Sequence, residues 1–196
     1  MFFNRTLCIF SVFCLSLSSA AVVQAGNPGS FGYVGLHAGY LSLGGDDWQG
    51  ETVDTSDVSY GGLLLFLQDV GDLAFGLSVS QTNATFASKS SSRIELEKSF
   101  TGVGLLIGKI DNSDANRTAG FGGFEYFQTE GKVTGCPPQI QGICDFSRNK
   151  GSAVGLLGGV LVEVAKNISF GIGGRIIFAD ETDNAYELFV TGGFSF

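Results

Sequence analysis

The chain has 196 residues, 19 acidic against 11 basic side chains, a net charge of −8, and 30 glycines. That length suits one domain, and the acidity argues against nucleic acid as a partner. "GLLIGKI" lacks both the spacing and the Ser or Thr after Lys that a phosphate-cradling loop requires.

Residues 1–25, "MFFNRTLCIFSVFCLSLSSAAVVQA", read as a secretory signal peptide: Arg5 precedes an apolar run from Leu7 to Leu17, and small residues lead to cleavage after Ala25. The run is about half of the roughly 20 residues a spanning helix needs. Cys8 and Cys14 leave with it. Residues 26–196 form the mature domain, whose greasiest stretch, "VGLLGGVLVEV", has strand length and carries Glu163. Such a chain can cross a bilayer only as a closed barrel, in which every backbone polar group is paired.

Eight strand-like segments follow in order. "FGYVGLHAGYLSL" leads through the acidic link "GGDDWQGETVDTSD" to "VSYGGLLLFLQ", which turns at "DVGD" into "LAFGLSVSQTNATFA". "SKSSSR" connects to "IELEKSFTGVGLLIGKI", and "DNSDAN" to "RTAGFGGFEYFQTE". The long "GKVTGCPPQIQGICDFSRNK" precedes "GSAVGLLGGVLVEVA", a minimal "KN" leads to "ISFGIGGRIIFA", and "DETDNA" feeds the closing "YELFVTGGFSF". Short turns follow the even segments and mostly longer links the odd ones. This alternation predicts an all-β fold, an eight-stranded antiparallel up-and-down transmembrane β-barrel with periplasmic turns, extracellular loops and both termini periplasmic.

Such a barrel needs uncharged outward positions, because Lys or Arg at midplane costs about 2–4 kcal/mol. Period two sets outward Val34, Leu36, Ala38 and Tyr40 against inward Gly35, His37 and Gly39. The second segment is expected to face lipid with Leu63, Leu65 and Leu67, and the third with Leu73, Phe75, Leu77 and Val79 against inward Ser78 and Ser80. Val103, Leu105 and Ile107, then Phe124 and Tyr126, then Leu156, Val160, Val162 and Val164, then Phe170, Ile172, Ile176 and Phe178 continue the outward set. In the last segment Tyr186, Leu188, Val190, Phe194 and Phe196 share one side.

The inward face gathers Glu125, Glu163, Glu187, Arg175 and His37, with Arg175 expected to pair with Glu187. Buried charges must be paired, and the group reads either as a salt-bridged plug of a polar lumen or as an ion gate. Inward glycines such as Gly35, Gly39, Gly76, Gly102 and Gly104 either make room for inward aromatics, expected to be Tyr60, Phe66, Phe121 and Phe189, or clear a ligand cavity. Cys136 and Cys144 flank "PPQIQGI" in the longest loop and read as a disulfide in an oxidising compartment. A metal site would want further nearby ligands, so none is expected. The stapled loop is either a pre-shaped contact surface or a guard against proteolysis.

The signal peptide, the "YVGLHAGY" first segment, the eight-segment alternation and the closing "LFVTGGFSF" together resemble the small eight-stranded outer-membrane proteins typified by the membrane domain of OmpA and by the OmpX and opacity-protein groups. The resemblance implies that Phe196, with Phe194, Leu188 and Tyr186, is the signal read by the outer-membrane assembly machinery. It implies a monomer in a Gram-negative outer membrane, without a cofactor, in contact with lipid and lipopolysaccharide and offering loops to host or surface ligands. The peptidoglycan-binding domain of OmpA has no counterpart. Two other readings stay open: a lipid A acyltransferase or deacylase, for which His37 is the lone histidine, and a soluble periplasmic barrel carrier, which would carry polar outward residues.

Overall fold

The computed structural model describes residues 29–45, 47–48, 51–52, 54–89, 94–112, 116–134, 149–179 and 184–196. The expected signal peptide, Cys136 and Cys144 lie outside the described residues. All regular structure among the described residues is strand. β1 (Ser30–Leu43) is followed by a two-rung hairpin, β2 (Asp47–Trp48) and β3 (Glu51–Thr52), in the first long link. The wall continues with β4 (Ser56–Val70), β5 (Leu73–Ala87), β6 (Glu95–Asp111), β7 (Thr118–Thr134), β8 (Asn149–Ala165), β9 (Ile168–Ala179) and β10 (Ala185–Ser195).

The eight long strands form a closed barrel in which each pairs antiparallel with its sequence neighbours and β10 returns to β1. Closure leaves no edge for another chain to pair with. The seam runs from Tyr33↔Ser195 to Leu43↔Ala185. Two further bonds lock its end: Gly32 N–H donates to Phe196 O at 2.8 Å, and Phe196 N–H to Gly32 O at 2.9 Å. The Phe196 ring lies over Gly32, where an added Cβ would strike it.

Turn chemistry fits the short connections. Val70 pairs Leu73 across a two-residue turn in which Gly71 has φ 81°, the glycine-first hairpin turn that matches strand twist. Asn167, φ 63°, closes the β8–β9 turn, since Asn tolerates the left-handed region. A bulge between Glu163 and Ala165 precedes it.

Faces follow the expected alternation in seven strands. Leu36, Leu105, Phe124 and Leu188 are 75%, 70%, 73% and 74% exposed, while His37, Glu125 and Glu187 are buried. β4 is the exception. Leu63, Leu65 and Leu67 point inward and are buried, whereas Tyr60, expected inward, is exposed. Phe66, also expected inward, occupies the outward parity of β4, opposite the buried leucines. "LLLFL" is apolar at both parities, so its own period cannot choose a face; pairing does. Tyr33, wholly buried, sits opposite Leu65, and directly opposed residues share a face.

Inside, two apolar clusters fill opposite ends. Phe31, Tyr33, Leu65, Leu67, Phe121 and Leu161 lie in the cluster at the turn end. Leu41, Phe86, Leu96, Phe100, Phe127 and Ile177 lie in the cluster at the loop end. The charged layer is therefore flanked by two largely apolar ends that still carry buried polar groups: Ser169 and Ser195 bond at 2.9 Å at the turn end, and Lys98 is buried toward the loop end. The bulky residues fit because glycines face them: an added Cβ on Gly102 would come within 2.6 Å of the Phe127 ring, and one on Gly173 within 2.5 Å of that of Phe189.

Candidate functional site

The central layer is built from register. Glu187 of β10 lies directly opposite Arg175 of β9, and both side chains point into the lumen, where they are fully enclosed. Arg175 Nη1 donates to Glu187 Oε2 at 2.8 Å, and Nε donates to Glu125 Oε2 on β7 at 3.0 Å. Small neighbours let Glu125 reach the arginine: it pairs with Gly104 on one side and Gly155 on the other.

Hydroxyls complete both carboxylates. Ser78 and Ser80 each donate to Glu125 Oε1 at 3.0 Å, and Ser59 donates to Glu187 Oε1 at 2.7 Å. Thr82 Oγ1 accepts from Arg175 Nη1 at 2.6 Å and donates to Glu187 Oε2 at 3.3 Å. With its only proton so used, Thr82 must accept from His37 Nε2, 3.1 Å away. His37 Nε2 also lies 3.4 Å from Glu187 Oε1. Hydrogen bonding therefore places the proton on Nε2, while His37 Nδ1 and Arg175 Nη2 have no protein partner.

The layer is sealed by aromatics. The Arg175 guanidinium lies 5.5 Å from the Phe127 ring centre on its loop side and 5.7 Å from that of Phe189. His37 stacks, tilted, 5.0 Å from Phe189. A second brace joins Tyr33 to Thr191 at 2.6 Å, with Thr191 donating to Leu36 O at 2.8 Å.

Four of the five charged or titratable residues expected inward thus meet: His37, Glu125, Arg175 and Glu187. Glu163 does not join them. It sits at the β8–β9 turn, where its Oε1 accepts the Asn167 N–H at 2.9 Å. It belongs with Arg117, whose ring-facing guanidinium lies 4.9 Å over Phe31. Burial lowers the Arg117 pKa, opposed by the attraction of Glu163 and Asp69. Sequence period gives Glu163 the inward parity, but its height along the barrel removes it from the central layer. Alternation places Ser78 and Ser80 inward, but the carboxylate each one bonds is set by the closed ring. Their signal was present in "LSVSQT", where Ser78, Ser80 and Thr82 recur at period two.

Among the described residues no group of three His, Cys, Asp or Glu is placed to hold a metal ion. A carboxylate–guanidinium–carboxylate bridge with saturated hydroxyl partners can hold walls together.

Tyr186, Leu188 and Phe194 stand exposed on the outer wall, and Phe196 is half-buried against Gly32. Round the middle of the wall the large exposed side chains are apolar, among them Leu36, Leu77, Leu105, Phe124, Ile172 and Val190, while the exposed charges Glu97, Lys109, Lys132 and Lys150 lie toward the strand ends.

A closed eight-stranded meander with an apolar outer belt and a packed interior is the fold of the small outer-membrane β-barrels. Among solved structures it is similar to Ail, the attachment invasion locus protein of Yersinia pestis, with a TM-score of 0.52 and 12% identity, covering 86% of this chain and 99% of that one. Neisserial surface protein A, NspA, is similar with a TM-score of 0.50 and 14% identity, covering 86% and 99%. Ail has also been solved in complex with the heparin analogue sucrose octasulfate. No family model matches the chain, and no curated protein matches it.

Proposed function

We propose that this chain is a non-enzymatic outer-membrane protein of a Gram-negative bacterium, a monomeric barrel whose lumen is plugged and whose loops face outward for surface contact or envelope integrity. The carrying observation is the belt. Monomeric soluble proteins rarely expose contiguous apolar patches beyond a few hundred Å², whereas here Leu36, Leu105, Phe124, Ile172 and Leu188, each at least 67% exposed, come from strands all round the wall. Hydrocarbon is the solvent that suits such a surface. A soluble carrier would show the opposite outer composition.

The plug reading rests on the two apolar clusters and the enclosed Glu125–Arg175–Glu187 bridge between them. An eight-stranded interior is narrow enough for its own side chains to fill. His37, buried beneath Phe189 and bonded to Thr82, supports a bracing role over lipid A chemistry at the membrane surface. The first described residue, Gly29, and the C-terminus lie beside short turns, with Asp69 N–H donating to Gly29 O at 2.6 Å and Ser195 N–H to Asn167 O at 3.0 Å, which supports periplasmic termini after removal of residues 1–25. Phe196, Phe194, Leu188 and Tyr186 are proposed as the mark read by the assembly machinery. The sulfated ligand of Ail does not carry over, because a chain of net charge −8 repels polyanions.

The test is refolding of the processed chain with and without phospholipid vesicles. A heat-resistant, protease-protected form that requires vesicles, with no conductance step of porin size in planar bilayers, is expected. A monodisperse folded protein in plain buffer would overturn the reading. Deleting residues 135–148, which spares the ends of β7 and β8, would locate any surface ligand in the longest loop.

A further inference from the structure

The bridge at the centre of the lumen does not balance its own charge. Two carboxylates, Glu125 and Glu187, meet one guanidinium, Arg175, and all three side chains are wholly enclosed, as is His37. With a neutral imidazole, one negative charge is left over. A buried charge without a counter-charge is costly, and the other ionisable groups that face the lumen do not supply one. Tyr33 on β1 sits in the turn-end cluster with its hydroxyl on Thr191. Toward the loop end, Lys98 is buried on β6 beyond Phe100 and Asp57 is half-buried on β4, and their charges are opposite. Asp69, Arg117 and Glu163 lie at the turn end, where Glu163 N–H donates to Arg117 O.

A balancing proton has one place to go. Glu125 Oε1 accepts from Ser78 and Ser80, and its Oε2 accepts from Arg175 Nε. Glu187 Oε1 accepts from Ser59, and its Oε2 from Arg175 Nη1 and Thr82. Every carboxylate oxygen faces a donor, so a proton on either acid would have to displace one of these bonds. His37 Nε2 is committed to Thr82 and Glu187. His37 Nδ1 remains, buried and without a protein partner. Protonating it exchanges one unpartnered acceptor for one unpartnered donor, which leaves the number of unsatisfied groups unchanged and cancels the net charge.

We infer that His37 is held as an imidazolium, so that Glu125, Arg175, Glu187 and His37 form a neutral chain of alternating charge with contacts of 3.0, 2.8 and 3.4 Å, and that the barrel binds this proton as it closes. The inference rests on the plugged lumen proposed above and makes its brace sensitive to pH. Above about pH 6.5 the ring of an unfolded chain is mostly neutral, so folding takes up a proton there. The folding constant then falls about tenfold for each pH unit until the enclosed ring itself lets go. Mild acid sets the brace, and alkali releases it.

His37 is the only histidine of the chain, so its ring reports alone. The full processed chain, without a histidine tag and labelled with nitrogen-15 histidine, is folded in detergent micelles and observed by NMR at pH 7. Both ring nitrogens are expected to carry protons. A neutral ring with one bare nitrogen would overturn the inference. In vesicles, the urea-unfolding equilibria of the wild type and His37→Gln are compared at pH 7 and pH 8. The folding constant of the wild type is expected to fall about tenfold more than that of the variant, and an equal response of the two would also overturn the inference. The NMR measurement needs no variant and decides the matter if His37→Gln folds poorly. A conductance step of porin size would overturn the plugged lumen, and the enclosed proton with it. A neutral ring in a non-conducting barrel would overturn the proton alone.

Discussion

Arg175 and Glu187 stand directly opposite one another on β9 and β10, 2.8 Å apart and fully enclosed, and the same guanidinium reaches Glu125 on β7 at 3.0 Å. One cation therefore ties two carboxylates across the lumen, and the first prediction follows from the asymmetry of buried ion pairs. Arg175→Met strands two acceptors among apolar clusters and is expected to cost about 3–5 kcal/mol, read as a lower urea midpoint for refolding in vesicles. Replacing all three, Glu125→Leu, Arg175→Met and Glu187→Leu, should be milder than the single change. An unaltered midpoint for Arg175→Met would show that the bridge contributes nothing.

The outer face of β6 tests the surrounding solvent. In water a lysine at a 70% exposed position such as Leu105 would be harmless. In a bilayer Leu105→Lys is expected to cost about 2–4 kcal/mol. The readout is folding yield in vesicles, with Glu97→Lys, exposed at the loop end of the same strand, as a control that should stay near the wild type.

At the seam, Gly32 and Phe196 form a fitted pair. Gly32→Leu would drive a side chain into the Phe196 ring, an overpacking cost of about 1–3 kcal/mol. Phe196→Ala should recover part of that stability, a coupling that a double-mutant cycle measures directly. Additive losses would mean that the ring does not rest on Gly32.

Phe127 separates the charge layer from the loop end. Phe127→Ala is expected to cost about 3–5 kcal/mol by leaving a cavity. Gly102→Phe, which faces the same space, should restore part of the loss. Stability unchanged by Phe127→Ala would contradict a packed lumen.

β4 alone breaks the pattern of faces. In β5, Ser78 and Ser80 alternate with Leu77 and Val79, and in β6, Gly102 and Gly104 alternate with Val103 and Leu105; small or polar against large apolar reveals the face before any partner is known. "LLLFL" carries no such contrast, and only its ladder with β1 turned Leu63, Leu65 and Leu67 inward. The same limit applied to the charges. Alternation predicts that Glu125, Glu163, Arg175 and Glu187 point inward, but heights along the axis come from pairing offsets between strands, so three of them met and Glu163 stayed at the turn end. A residue's parity is a local property of its own strand, set by a backbone that turns over every second residue. Which residues touch across a lumen is a property of the closed ring, because each strand's register adds to the next until the barrel joins itself.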